Sequence, residues 1–259
     1  MAHRNGRSTP VTKPNLHPDK PLDKWLSQFL PHLSIDCVVF GFHGGELKVL
    51  LVKWPAADVW TLPGGYVGRH QSLDDAAHQV LHFRTGLRRV HLRQFHAFGD
   101  LGRKEAFGRK LFVTRYPDVP RDLWLFKRVV SIGYYALVDF REARPTADAW
   151  SHSCEWYPVD ARPRLAYDHD RIVAHAREAV RAALSVPGAG ASLLPKRFTM
   201  PELQSLHEAI LGRTLDRRNF QKRMLERGGI ERLTERRTGG AHRAPFLYRF
   251  RISPSRVDF

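Results

Sequence analysis

Between residues 34 and 53 two apolar runs flank a short polar break. Residues 34–42 are β-branched and apolar, His43, Gly44, Gly45 and Glu46 have turn chemistry, and residues 47–53 are apolar again. Two such runs across a Gly-Gly turn predict a β-hairpin, and a shorter stretch upstream, residues 22–30, reads as helical. After Trp60-Thr61-Leu62-Pro63-Gly64-Gly65 the period changes. Ser72 with Asp75 three residues on is an N-cap signature, and Leu73, Ala76, Ala77 and Val80 then share one helix face until Gly86 closes it. Strands are predicted around residues 91–98 and 129–138, with a basic insertion (102–127) between them. Residues 156–158 lead into a helix over 168–184. Alternating strands and helices predict an α+β or α/β unit.

Residues 185–192 are small, uncharged and rich in Gly and Pro, as linkers are. Beyond them Thr199 and Glu202 form a capping box, and Met200, Leu203, Leu206, Ile210 and Leu211 recur at helical spacing until Gly212. A second helix is predicted over 215–227, with Phe220, Met224 and Leu225 on one side and Arg218, Asn219, Lys222 and Arg223 opposite. Gly228 and Gly229 end it. Residues 230–234 and 246–252 read as strands around a basic tip, 235–245, and so as a β-wing. The pattern thus divides the chain into a leader (1–21), a first domain (22–184), a linker (185–192) and a second domain (193–259).

Composition and charge narrow the function. The 259 residues are 42% hydrophobic and 11% aromatic, too rich for a disordered chain. Lys and Arg outnumber Asp and Glu by 42 to 26, a net charge of +16, which favours a polyanionic partner over an acidic protein. Residues 193–259 carry 15 Lys and Arg against 7 Asp and Glu, a surplus of 8 and therefore half of that charge. The longest central apolar stretch, 129–138, is about half the ~20 residues that cross a bilayer, so no membrane partner is expected. The leader has basic residues but Pro10, Pro14, Pro18 and Pro21 in place of an apolar signal segment. Cys37 and Cys154, each within an apolar run, offer neither a disulfide framework nor a paired metal site. A cytoplasmic protein without cofactor or bound metal is the expectation.

Arg, Asn and Lys side chains match guanine and adenine edges and phosphates, and a helix presenting them beside a supporting helix is how helix-turn-helix domains enter the major groove. The candidate DNA-contacting residues are Thr199, Arg217, Arg218, Asn219, Lys222, Arg223, Arg236, Arg237, His242 and Arg243. An isolated basic helix is more often a solvated surface; helix, turn, helix and wing in succession argue for DNA.

The segment 62–87 resembles the Nudix box, G-x5-E-x7-R-E-U-x-E-E-x-G-U, in which glutamates coordinate Mg²⁺ and position water. The 23-residue frame runs from Gly65 to Leu87 without a gap. In it the first Glu is replaced by Gln71, the Arg by Gln79, the next Glu by Val80 and the closing Glu pair by Phe83 and Arg84. The scaffold positions Gly65, Leu81, Gly86 and Leu87 are kept. Val and Phe cannot ligate Mg²⁺, and Arg84 would place a guanidinium where the cation belongs, so metal-assisted hydrolysis is expected to be lost.

Residues 98–100, 128–138, 156–160 and 165–169 resemble later segments of Nudix-related transcriptional regulators of the NrtR type, and the tail, including Leu215-Asp216-Arg217-Arg218-Asn219-Phe220, is similar to their winged domain. The insertion is longer than that pattern and brings Lys104, Arg109, Lys110, Arg115 and Arg121. The resemblance implies an α+β protein: a Nudix fold, with a mixed sheet between helices, followed by a winged helix-turn-helix. It also implies a homodimeric regulator, acting as a repressor, that binds a palindromic double-stranded operator. Its Nudix domain would sense a small phosphorylated ligand, ADP-ribose or a sugar phosphate, in the control of NAD or sugar metabolism. Candidate effector-binding residues are Gly64, Gly65, Arg103, Arg128, Tyr134, Asp168 and His169. For Tyr134 ordinary strand packing is the simpler role, and Asp168 and His169, at a helix entry, are equally suited to N-capping. One rival is an active hydrolase of ADP-ribose or nucleoside diphosphate derivatives using Asp74, Asp75, Glu105 and Asp168. Another is an RNA-binding Nudix protein.

Overall fold

The computed structural model describes residues 22–54, 59–101, 103, 120, 122–149, 151–186, 188–237 and 244–251. The leader, most of the basic insertion and the tip of the wing, with Lys104, Glu105, Arg109, Lys110, Arg115, Arg121, His242 and Arg243, lie outside them.

A short helix α1 (Leu22–Leu26) precedes the long strand β1 (Phe29–His43), which turns through Gly44 and Gly45 into β2 (Glu46–Trp54). The hairpin has the expected turn, with His43 opposite Glu46 and Phe40 opposite Val49. The strand starts earlier and the helix stops sooner than the pattern predicts. Phe29 pairs with Gly68 and only then does the register shift, past His32 at φ +63°. Then come β3 (Val59–Thr61), β4 (Gly64–Gly68), α2 (Leu73–Thr85), β5 (Leu92–Phe98), β6 (Val130–Leu137), β7 (Ser153–Pro158) and α3 (His169–Ala183). Among the described residues no helix is long and apolar enough to cross a membrane.

These strands form a seven-stranded mixed sheet, β3-β2-β1-β6-β5, with β4 also on β1 and β7 also on β2. β1 is its axis, parallel to β6 and antiparallel to β2 and β4. Its side chains alternate between two cores, as a strand of period two must. Ile35, Cys37 and Val39 pack towards Ala76, Ala77, Val80 and Leu81 of α2, whereas Val38 and Phe40 join Ile172, Val173, Ala176 and Val180 of α3. α2 has the predicted caps: the Ser72 hydroxyl accepts the Asp75 N–H at 3.1 Å, and Gly86 ends the helix at φ +69°.

The second core continues past residue 184. Ala191 and Leu193, in a 3-10 turn, are buried, and Leu193 shares the cluster that contains Phe198, Met200, Leu203, Leu206 and Ile210. Here β8 (Phe198–Thr199) leads into α4 (Met200–Leu211), α5 (Arg217–Glu226), β9 (Ile230–Arg236) and β10 (Phe246–Phe250), the strands forming a sheet in the order β8-β10-β9. The Thr199–Glu202 capping box is complete. Phe220 is buried in α5 as expected, but Leu225 is 47% exposed. Five residues at 100° each place it about 140° around the helix from Phe220, so it belongs with the polar side.

Two arginines join the sheet domain to this unit. From α3, Arg177 donates to the carbonyls of Ile210 (3.2 Å) and Ala209 (2.9 Å), and Arg181 to those of Ile210 (2.8 Å) and Leu211 (3.1 Å). Four residues apart, they share one face of α3 and cap the carbonyl end of α4, where the helix dipole favours cations.

Candidate effector pocket and nucleic-acid interface

β1 changes partners at Asp36. On one side Asp36, Ile35 and Ser34 pair with Gly64, Gly65 and Tyr66 of β4; further on, the strand pairs with β2. The opening so left is a cavity lined by Asp36, Gly64, Gly65, Arg84, Arg103 and His169, among others. Tight approach explains both glycines. A Cβ on Gly64 would lie 2.5 Å from Asp36 Oδ1, and one on Gly65 2.8 Å from a methyl of Val80.

Asp36, between the apolar Ile35 and Cys37 of β1, is buried and fully engaged. Its Oδ2 accepts Ser131 Oγ at 2.5 Å and Arg103 Nη2 at 2.9 Å, and its Oδ1 faces His169 Nε2 at 3.4 Å. Arg103 continues outward, its Nε within 2.9 Å of both Asp168 oxygens and its Nη1 donating to the Val129 carbonyl at 3.1 Å. Burial pushes the Asp36 carboxyl up, but His169, Arg103 and the hydrogen bonds from Ser131 and Arg103 outweigh it and hold the carboxyl below its ordinary range. His169 Nδ1 accepts the Leu62 backbone N–H at 2.9 Å, which leaves the ring proton on Nε2, facing Asp36. Burial lowers the proton affinity of this imidazole, and the charge on Asp36 restores only part of it.

The opposite wall is aromatic. Trp25, Trp54, Tyr66 and Phe83 line it, with Tyr66 edge-on to Trp124 at 4.9 Å and to Trp25 at 6.2 Å. Burial pushes the Tyr66 hydroxyl up to about 12, so it is a neutral donor near neutral pH. Tyr167 also lines the cavity, in the left-handed region at φ +55°, a conformation that costs a non-glycine residue about 1 kcal/mol or more.

The Nudix-box positions on α2 and in the loop before it make other contacts. Gln71 accepts the Gly68 N–H at 3.0 Å and donates to the Gln79 side chain, an amide pair at the pattern's Glu and Arg positions. Val80 is buried under Gly65. Arg84 donates from Nε to the Gly64 carbonyl (2.9 Å) and from Nη1 to Asp148 (2.8 Å).

Of the residues proposed from sequence, Gly64, Gly65, Arg103 and His169 line the cavity, and Asp168 touches it through Arg103. Arg128 and Tyr134 stand apart. Arg128 donates to the Gly99 carbonyl, and Tyr134, buried against α2, donates to Asp74 at 2.7 Å. Asp168 occupies the N-cap position of α3 without a side-chain cap bond. The rival carboxylates are dispersed: Asp74 on Tyr134, Asp75 on Ser72, Asp168 on Arg103. Among the described residues no three His, Cys, Asp or Glu side chains are grouped as metal ligands. Sequence reasoning missed Asp36, Ser131, Asp148 and the aromatic wall.

In the C-terminal unit Arg217, Arg218, Asn219, Lys222 and Arg223 are all exposed on α5, whose first turn is capped by Asp216. Arg236 stacks on Phe246 at 3.8 Å, and Arg237 pairs with Glu202 at 2.8 Å. Thr199 is buried, its hydroxyl held in the capping box. The exposed face of α5 therefore carries the concentrated cationic and amide donors, flanked by a hairpin with arginines at its base.

With this geometry, residues 190–250 match the NrtR DNA-binding winged helix domain family. The match spans the whole of the C-terminal helix-turn-helix and its wing. Similarity extends beyond them. The ADPR responsive transcriptional repressor NtrR of Acinetobacter baylyi is 29% identical over 236 residues, covering 88% of this chain and 86% of that protein. The crystal structure of Shewanella oneidensis NrtR complexed with a 27mer DNA superposes at a TM-score of 0.64 with 26% identity, over 86% of this chain and 94% of that one. A MutT/nudix family protein from Enterococcus faecalis shares the fold at a TM-score of 0.62 with 22% identity, over 88% and 92% of the two chains. The chain thus resembles NrtR over both units: a Nudix-like mixed sheet between helices, then the NrtR winged helix.

Proposed function

We propose that this protein is a DNA-binding transcriptional repressor whose Nudix-like pocket senses ADP-ribose. The observation that carries the reading is the fusion, in one chain, of a segment matching the NrtR winged helix to a Nudix-like pocket, with similarity to the ADP-ribose-responsive repressor of Acinetobacter baylyi running over 88% of the chain. The winged helix reads DNA with Arg218, Asn219, Lys222 and Arg223 in the major groove and the arginines of the wing on phosphates. The chain acts as a homodimer on a palindromic duplex, with half-sites about one helical turn apart. The effector's flat base fits the aromatic wall, and its phosphates fit the cationic side of the cavity.

The pocket binds and does not hydrolyse. The residues at the Nudix carboxylate positions, Gln71, Val80, Phe83 and Arg84, supply no carboxylate oxygen for a hard cation, and Asp36 is already committed to Arg103 and Ser131.

The test is selection of duplexes from a random pool by the full chain, followed by ADP-ribose titration of the selected complex. The reading expects an inverted repeat and its release by ADP-ribose, with no Mg²⁺-dependent turnover of the nucleotide. Recovery of single strands, or chelator-sensitive hydrolysis of ADP-ribose, would overturn it.

A further inference from the structure

We infer that Arg84 takes the place of a divalent cation in this pocket: its guanidinium is the fixed positive charge that receives the phosphates of the effector, and binding needs no Mg²⁺. The inference rests on the effector reading above and assigns the residue that performs it. Arg84 is in the last turn of α2, at a position where the Nudix pattern has a metal-binding glutamate, and its side chain lines the cavity.

Three features prepare it for an anion. First, it is held in one orientation by the Gly64 carbonyl and Asp148, with its guanidinium carbon 5.5 Å from the ring centres of both Trp54 and Phe83. Second, the pair is unequally exposed: the arginine side chain retains 17% of its surface, whereas its counter-ion Asp148 retains 3%. A ligand therefore meets the cation and not the carboxylate. Third, Nη2 of Arg84 has no hydrogen bond among the described residues, so a donor remains for a phosphate oxygen. Arg103, the other guanidinium that the described residues bring to the cavity, is used by Asp36, Asp168 and the Val129 carbonyl. A charge-assisted N–H···O bond from a preoriented guanidinium is the strong form of this contact. A Mg²⁺ ion placed here would instead meet a like charge.

Calorimetric titration of ADP-ribose into the full chain, in chelator and in millimolar MgCl₂, tests the inference with wild type, R84Q, R84K and R84E. Equal wild-type affinity in the two buffers is expected. R84Q should weaken binding about tenfold or more, R84K less than R84Q, and R84E more than either in chelator. Retained operator binding by the variants reports that they fold, and the wild-type comparison needs no variant at all. ADP-ribose binding that requires Mg²⁺, or that R84Q leaves unchanged, overturns the inference and spares the effector reading. No ADP-ribose binding by the wild type in either buffer overturns both.

Discussion

The backbone N–H of Leu62 donates to Nδ1 of His169 at 2.9 Å, which turns the other ring nitrogen towards the Asp36 carboxylate. One loop residue thereby fixes the tautomer of a buried imidazole 107 positions away and couples the box loop, β1 and the start of α3. Protonation of Nδ1 would set two N–H groups against each other, so this histidine stays neutral.

That constraint predicts acid sensitivity. His169 and His207, the latter lowered by burial to about 4 with Arg227 and Arg223 adding to it, hold fewer protons folded than unfolded below their ordinary value of 6.5. Unfolding therefore takes up protons, and stability that is complete above pH 6.5 declines as pH falls towards the folded values. For His207 the loss is of the order of 3 kcal/mol by about pH 4. The contribution of Asp36, whose folded value lies below 3.8, is lost only under stronger acid. Urea denaturation from pH 7.5 to 4 checks this, and H207Q should flatten the profile.

Removing Arg103 leaves Asp36 buried without its cation and Asp168 without its partner. Arg103→Gln is expected to cost about 3–5 kcal/mol at pH 7. The cost should shrink on acidification, because the abandoned Asp36 carboxyl then takes a proton. Denaturation of wild type and variant at pH 7 and pH 5 gives the comparison; a difference that stays constant would mean the ion pair is not what stabilises the site.

On α5, Arg218→Ala and Asn219→Ala are expected to reduce discrimination between operator and random duplex, each by about 1–3 kcal/mol. Arg236→Ala, as a phosphate contact from the wing, should instead weaken both and lower the salt slope by about one. Fluorescence anisotropy at several salt concentrations separates the two. Equal loss on both DNAs for Arg218 or Asn219 would assign them to the backbone.

The arginine pair on α3 predicts a different phenotype. Arg177→Ala with Arg181→Ala removes four donations to the end of α4. About 2–4 kcal/mol of stability should go with them. ADP-ribose affinity of the DNA-free protein should be unchanged, while the effect of ADP-ribose on DNA affinity shrinks. Retention of the full effect would place the coupling elsewhere.

The local elements of this fold are written in its sequence. The Gly44-Gly45 turn, the caps at Ser72 and Thr199 and the period change at α2 are short-range chemistry, and the structure has each of them. The site is less legible because its members meet only through topology. Asp36 and Ser131 are 95 residues apart, Arg84 and Asp148 64. A carboxylate inside the apolar run of β1 was a readable signal for Asp36; nothing in the surrounding sequence distinguishes Asp148. Leu225 and Met224, neighbours in the sequence, point about 100° apart on α5, so the apolar pair does not share a face. The aromatic wall is hidden in the sequence because Trp25, Trp54, Tyr66 and Phe83 come from four separate elements.

The central claim is that one chain couples an effector pocket to a DNA reader, and thermodynamic linkage makes it measurable from the effector side. A ligand shifts DNA affinity only through its differential affinity for the two arrangements, and the operator must alter effector affinity by the same factor. Calorimetric titration of ADP-ribose into the free protein and into the operator complex, at one fixed salt concentration, is the direct test. Weaker binding to the complex, by the factor through which ADP-ribose weakens operator binding, is the predicted result; identical affinities in the two titrations would contradict it.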